Sequence, residues 1–260
     1  MNHEDYWQQL DKPKQDLTWN LPEQKTGTLN IIGGNSQAFN TTIKISEFAA
    51  THTHFKDIRT VLPDMLKSKL PPMDNIIYLP STASGSFGDE KAQKTTLNSA
   101  DANLILGDLS KNTITAKVIT SACETSEKPT LITRDTIDLI ATENPAKLLE
   151  NPNLILLGSA VQLQKLLRAI FYPKVLLLSM PLLQILETLH KFTLSYPVTV
   201  VTFHEGQIIV ANNGRIATVP SIKTEYSPIT IWQGHLATKI LDYNFWNPGK
   251  ILDATTNAIF

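Results

Sequence analysis

Four short stretches of this 260-residue chain carry residue types that could hold or transform a polar ligand. Gly33-Gly34-Asn35-Ser36 sets two glycines beside two small polar residues, a combination that lets backbone amides approach an anion at a helix start. It is neither a G-x-G-x-x-G fingerprint nor a phosphate loop ending in lysine, and a tight turn is its plainer reading. Ser81 to Ser86 offers hydroxyls to a phosphate or sugar, or forms a surface loop. Gly107-Asp108-Leu109-Ser110-Lys111-Asn112 is more specific, because a carboxylate, an amine and an amide follow one apolar run. A helix cap made by Asp108 or Ser110 accounts for the same residues. Thr133-Arg134-Asp135 also follows an apolar run, where Asp135 suits either a ligand or the positive end of a helix dipole.

The remaining reactive residues form no recognisable set. His52 and His54 stand two apart, wrong for a helical metal pair and without a third ligand. His204 and His235 fall in turns or helix starts of the C-terminal part, where structural histidines outnumber catalytic ones. No serine sits in G-x-S-x-G, and Cys123 has no sequence partner.

The elements that must position these stretches alternate regularly. Expected strands are Thr28 to Ile32, Ile58 to Leu62, Asn75 to Leu79, Ala102 to Leu106, Thr130 to Ile132, Leu154 to Leu157 and Val175 to Leu178. Between them the sequence predicts helices over Phe39 to Ala50 (Ser36 as its cap), Asp89 to Leu97, 112–122, a short one from Asp135, and Ala160 to Phe171. In the last of these, Leu163, Leu166, Leu167 and Ile170 recur at spacings of three and four and define one buried face. A further helix after Ser179 and Pro181 buries Leu182, Leu186 and Leu189. Near-continuous apolar strands alternating with helices mark a parallel sheet buried on both faces. Val198 to Phe203, Gln207 to Ala211 and Arg215 to Val219 instead follow one another through tight turns, Asn213-Gly214 among them. They predict an antiparallel edge, followed by a helix from Ser227-Pro228 to about Tyr243 and a last helix over Pro248 to Ile259. The expected fold is therefore a three-layer α/β/α domain over 27–260, with 1–26 as an N-terminal arm anchored by Trp7 and Trp19 or as a loose tail.

Composition agrees with one large domain. Hydrophobic residues make up 42% and charged residues 18%, a globular balance. Twenty-three basic against 24 acidic residues argue against a nucleic acid partner, which needs a phosphate-neutralising surface. A single cysteine allows no internal disulfide and suits a reducing compartment. The N-terminal residues lack the roughly 7–15-residue apolar stretch of a signal peptide, and no apolar run approaches the roughly 20 residues of a membrane span. The expectation is a cytoplasmic protein with no membrane partner.

Four segments resemble the ribokinase-like superfamily, nearest to its ADP/ATP-dependent NAD(P)H-hydrate dehydratases. Ile31 to Ser36 with the Phe39–Ala50 helix looks like that family's opening Gly-Gly-Ser loop. "DANLILGDLSKN" at Asp101 to Asn112 is similar to "ADAxVIGPGLGRD". "LITRDTIDLI" at Leu131 to Ile140 matches the pattern of "LVLDADALNLL", with Asp135 kept and Thr133 in place of the first aspartate. "VTVVTFHEGQIIVANNGRIATV" looks like the hairpin that precedes the family's nucleotide loop.

The resemblance covers roughly residues 28 to 258 and departs at defined places. The family's "TPHPGE" segment reads Leu156-Leu157-Gly158-Ser159-Ala160-Val161, without its histidine and glutamate, and a lysine after the long strand is replaced around Phe203. Its Gly-Thr-Gly-Asp anion-hole motif falls on Gln233-Gly234-His235, so His235 takes the position of the catalytic aspartate. A ribokinase-like fold implies a nucleotide or dinucleotide in a cleft at the strand ends. In this chain Gly33, Gly34, Asn35, Ser36, Gly107, Asp108, Asn112 and Asp135 would face the substrate, and Gln233, Gly234 and His204 the nucleotide. His235 would stand as the base, ADP or ATP with Mg²⁺ as cofactors, and no metal site of the protein's own is expected. Two readings follow: a divergent dehydratase, or a catalytically inactive nucleotide- or metabolite-binding protein, with a small-molecule kinase third and homo-oligomerisation open.

Overall fold

A computed structural model describes residues 5–15, 21–226 and 232–260. Ten strands form one sheet: β1 (Trp7–Gln9), β2 (Thr26–Gly33), β3 (Phe55–Pro63), β4 (Ile76–Leu79), β5 (Ala102–Gly107), β6 (Thr130–Thr133), β7 (Leu154–Leu157), β8 (Thr199–His204), β9 (Gln207–Asn212) and β10 (Arg215–Pro220). Their spatial order is β1-β10-β9-β8-β7-β6-β5-β2-β3-β4. Parallel pairing runs unbroken from β8 to β4, and among the described strands only β9 runs against the others.

The reversal of β9 follows from its turns. Glu205-Gly206 and Asn213-Gly214 each place two successive residues at positive φ, the backbone that two-residue hairpins require. From β2 to β3 and from β4 through β8, helices return the chain to the same edge. Among the described residues the helices are α1 (Asn40–His52), α2 (Glu90–Asn98), α3 (Thr113–Glu124), α4 (Asp135–Ile140), α5 (Ala160–Ala169), α6 (Leu182–Ser195), α7 (His235–Trp246) and α8 (Ile251–Asn257).

Alternation along each strand divides the core into two layers. Ile32, Ile105, Ile132, Leu156 and Val200 point to one face, where they meet Leu97, Ile119, Ile137, Leu163 and Leu186 of α2 to α6. Ile31, Leu104, Leu131, Ile155 and Val201 point to the other, against Ile45 and Ala49 of α1, Ile240 of α7 and Leu252 of α8. Every residue of β5, β6 and β7 is buried, as a sheet covered on both faces demands.

Three details differ from the sequence-based expectation. Val175 to Leu178 is not a strand: β7 already has β6 and β8 on its two edges, and Val175, Leu177 and Leu178 are exposed while Leu176 alone is buried. Ser36 does not cap α1, because its amide donates to the Gly85 carbonyl and the helix begins only at Asn40. The segment around Trp7 does more than lean on the domain, since it pairs with β10 as an edge strand and the Trp7 indole donates to Thr218 Oγ1 at 3.0 Å. The expected helix start at Ser227-Pro228 and the Trp19 anchor lie outside the described residues.

Candidate functional site

Strands β2, β5, β6 and β7 end along one edge of the sheet, and the loops that leave them interlock. Gly33 is in register with Gly107, and a Cβ on Gly33 would come within 2.8 Å of the Gly107 carbonyl oxygen. The next amide, Gly34, donates to that same carbonyl at 2.9 Å. Asn35 continues the bridge: its Nδ2 donates to the Asp108 carbonyl at 2.6 Å while Oδ1 accepts the Gln37 and Ala38 amides. Ser84 draws in the third loop, its carbonyl accepting from Ser110 Oγ and its hydroxyl from Asn112 Nδ2. Asn112, rather than Asp108 or Ser110, caps the following helix by accepting the Thr115 amide.

Beyond this shelf lies Asp135, the first residue of α4. Its Oδ1 accepts the Asp108 amide at 2.9 Å. Asp108 in turn receives Arg134 Nη2 at 2.8 Å. Both Asp108 and Arg134 hold φ at 57°, a left-handed backbone that non-glycine residues adopt at a cost, and such residues concentrate at binding sites. Burial, with the neighbouring Asp108 carboxylate adding to it, pushes the Asp135 carboxyl above the usual range, although the Asp108 amide opposes the shift.

The wall opposite comes from α5. Ser159 closes a capping box with Gln162, whose Nε2 also donates to the Arg134 carbonyl at 2.7 Å and to Asp138 at 2.8 Å. Lys165 pairs with the other Asp138 oxygen at 2.5 Å. Asp135, Asp138 and Lys165 thus stand between two adjoining cavities of about 560 and 610 Å³. Lys111, Asn112 and Thr113 line the first; Asp108, Arg134 and Trp232 line the second.

Of the residues singled out from the sequence, Asp108, Asn112 and Asp135 line these cavities. Gly33, Gly34, Asn35, Ser36 and Gly107 line neither cavity. Gly234 sits at the head of α7 with φ 102°, packed beside Leu106 at the end of β5, and Gln233 is exposed. The His235 ring packs edge-on against Phe48 with 4.4 Å between ring centroids, and Phe48 stacks on His52. Burial, reinforced by His52, lowers the His235 pKa. His204 is buried at the end of β8 with Nε2 2.7 Å from the Met180 carbonyl oxygen.

Asp138, Gln162, Lys165 and Trp232 were not singled out from the sequence. Gln162 and Lys165 occupy the polar side of an amphipathic helix, which reads as solvated surface unless one asks what that side meets where α5 begins. Among the described residues, no group of three or more His, Cys, Asp or Glu could hold a metal ion. Two of the three cleft aspartates are already paired, so the residues present do not build a magnesium site of their own.

No family model matches the chain, and no curated protein does. Solved structures do. A ribokinase-like superfamily protein of Enterococcus faecalis superposes with TM-score 0.64 at 12% identity, over 97% of this chain and 84% of its own. A hypothetical protein of Streptococcus mutans gives 0.63 at 16% identity, over 96% and 84%. The fold is ribokinase-like. The ADP/ATP-dependent NAD(P)H-hydrate dehydratase of Bacillus subtilis, crystallised with ATP and Mg²⁺, shares this architecture at TM-score 0.59 and 13% identity, over 96% and 87%. Among the described residues, no helix is long and apolar enough to cross a membrane.

Proposed function

We propose that the chain binds a nucleotide or dinucleotide in the double cavity at the ends of β5, β6 and β7. The observation that carries this reading is the wall of Asp135, Asp138 and Lys165 shared by two cavities, which suits a ligand of two lobes joined over polar groups. Lys111 and Lys165 supply positive charge to the first cavity, and Trp232 offers an aromatic ring to a base in the second. The dehydratase-like neighbour that was crystallised with ATP and Mg²⁺ supports the ligand class. Any magnesium would then be held chiefly by the ligand's phosphates.

Calorimetric titration with ADP, ATP and NADH tests the reading. Saturable binding of at least one is expected, together with a change in Trp232 fluorescence that Trp232→Phe removes. No binding of any of them would sink it.

A second reading, an active NAD(P)H-hydrate dehydratase, is favoured by Asp135. A half-buried carboxyl whose burial raises its pKa, lining both cavities, is the kind of group that can take or give a proton to a ligand. His235 lines neither cavity, so it could serve as a base only if it approached the ligand. An absorbance assay on hydrated NADH with ATP decides between the readings, because binding without turnover leaves only the first.

A further inference from the structure

A separate cavity of about 380 Å³ opens at the opposite end of the same central strands. Its floor is the entry to β5, β6 and β7, through Asp101, Pro129 and Asn153, and its roof is the α7–α8 turn, through Phe245 and Gly249. The Phe245 ring is held firmly, 5.1 Å from Phe55 and 4.8 Å from Trp246 between centroids, with Gly27 against its edge. Gly249 is exposed in this turn, with nothing within 4 Å of where a Cβ would project.

Asn244, only 7% exposed, braces the roof from within: its Nδ2 donates to the Ile240 carbonyl and to Thr255 Oγ1, tying α7 to α8. Asp101 uses Oδ2 to accept the Thr28 amide, and neither it nor Glu127 has an ion-pair partner among the described residues. Two carboxylates against the single amine of Lys128 give the cavity a negative balance.

We propose that this cavity binds a small aromatic cation, its ring against Phe245 and its N–H donors directed to the carboxylates of Asp101 and Glu127. The apolar remainder of the wall, Ile155 and Ile251 among it, matches a flat ring, and the volume falls within the range of small-molecule pockets. The site is independent of the cleft at the other end of the strands.

Tryptamine is the probe, titrated into the ¹⁵N-labelled full chain. Saturable shifts are expected at the amides of Glu127, Asn153, Phe245 and Gly249 but not at Asp135, and indole-3-propionate, the same ring with an anionic tail, should bind more weakly. Asn153→Trp, which fills the cavity mouth, should weaken tryptamine at least about tenfold by steric exclusion. Glu127→Gln, an exposed change that spares the fold, should weaken it about two- to fivefold. Asp135→Asn should leave it unchanged. The proposal is overturned if no saturable shift appears in the millimolar range, if the shifts centre on Asp135, or if the anionic analogue binds equally well. A folded Asn153→Trp protein that binds like the wild type would overturn it too.

Discussion

Gly107 and Asp135 cannot both keep their places if residue 107 carries a side chain. A Cβ there would overlap Asp135 Oδ1, and φ at Gly107 is 119°, a backbone that L-residues rarely adopt. The same carboxylate oxygen needs the Asp108 amide, so the missing side chain at 107 is what lets Asp135 reach the loop. Gly107→Ala should therefore cost about 1–3 kcal/mol from the backbone alone, plus the displacement of Asp135, and should abolish ligand binding in the cleft. Gly206→Ala is the control. It has positive φ but open space around it, and should cost only about 1–2 kcal/mol with binding intact. Urea denaturation and titration of the two variants separate strain from site geometry.

Asp135 also makes a prediction about pH. Its folded pKa is raised by burial, so between its ordinary value and the raised one the native state binds more protons than the unfolded chain. Stability contributed by this group then falls as pH rises through that window. Asp135→Asn keeps an oxygen for the Asp108 amide and removes the charge. The variant should gain stability relative to the wild type as pH rises from 4 to 7, with the difference vanishing in acid. Thermal melts across that range check it, and a difference that shrinks with rising pH would contradict the assignment.

Much of this architecture was legible because parallel strands announce themselves. Leu154 to Leu157 is a four-residue apolar run between turn residues, and the structure keeps those bounds unchanged. Val175 to Leu178 has the same composition, but strand formation needs a free edge, which no local pattern reveals. Trp7 to Gln9 gave the opposite error, since three residues with two glutamines carry almost no strand signal and pair only because β10 offers its edge. At the site, Gly107 and Asp135 stood out by residue type and by following apolar runs. Lys165 and Asp138 did not, because their meaning lies in a contact between two helices 27 residues apart in sequence. His235 was placed by alignment to a motif, and sequence register says nothing about which neighbour its ring meets.

The far end of α7 offers a test of packing apart from the cleft. Asp242, with 3% of its side chain exposed, accepts both the backbone amide of His54 at 3.0 Å and its Nδ1 at 2.7 Å. The pair ties the start of β3 to the helix. Asp242→Ala leaves both donors unpaired beside a cavity and should cost about 3 kcal/mol, whereas Asp242→Asn retains one acceptor and should cost less. Chemical denaturation gives both values, and equal losses would mean that cavity formation rather than hydrogen bonding dominates.

His235 gives the sharpest division between the two functional readings. Its ring lies on Phe48 in an edge-to-face contact, an arrangement worth about 0.5–1.5 kcal/mol, and burial lowers its pKa, which favours the neutral ring. For a binding protein, His235→Ala should cost roughly that stability and leave the affinity for ADP or NADH essentially unchanged, because the ring lines neither cavity wall. For a dehydratase using His235 as its base, the same change should lower turnover by about 10²–10⁴ while affinity persists. Asp135→Asn runs in parallel on the same assay. If turnover exists and falls with Asp135→Asn but survives His235→Ala, proton transfer belongs to the carboxyl in the shared wall. If it falls with His235→Ala alone, the histidine must move toward the ligand when it binds, and a change in the Phe48 and His52 ring resonances on adding ATP would record that movement.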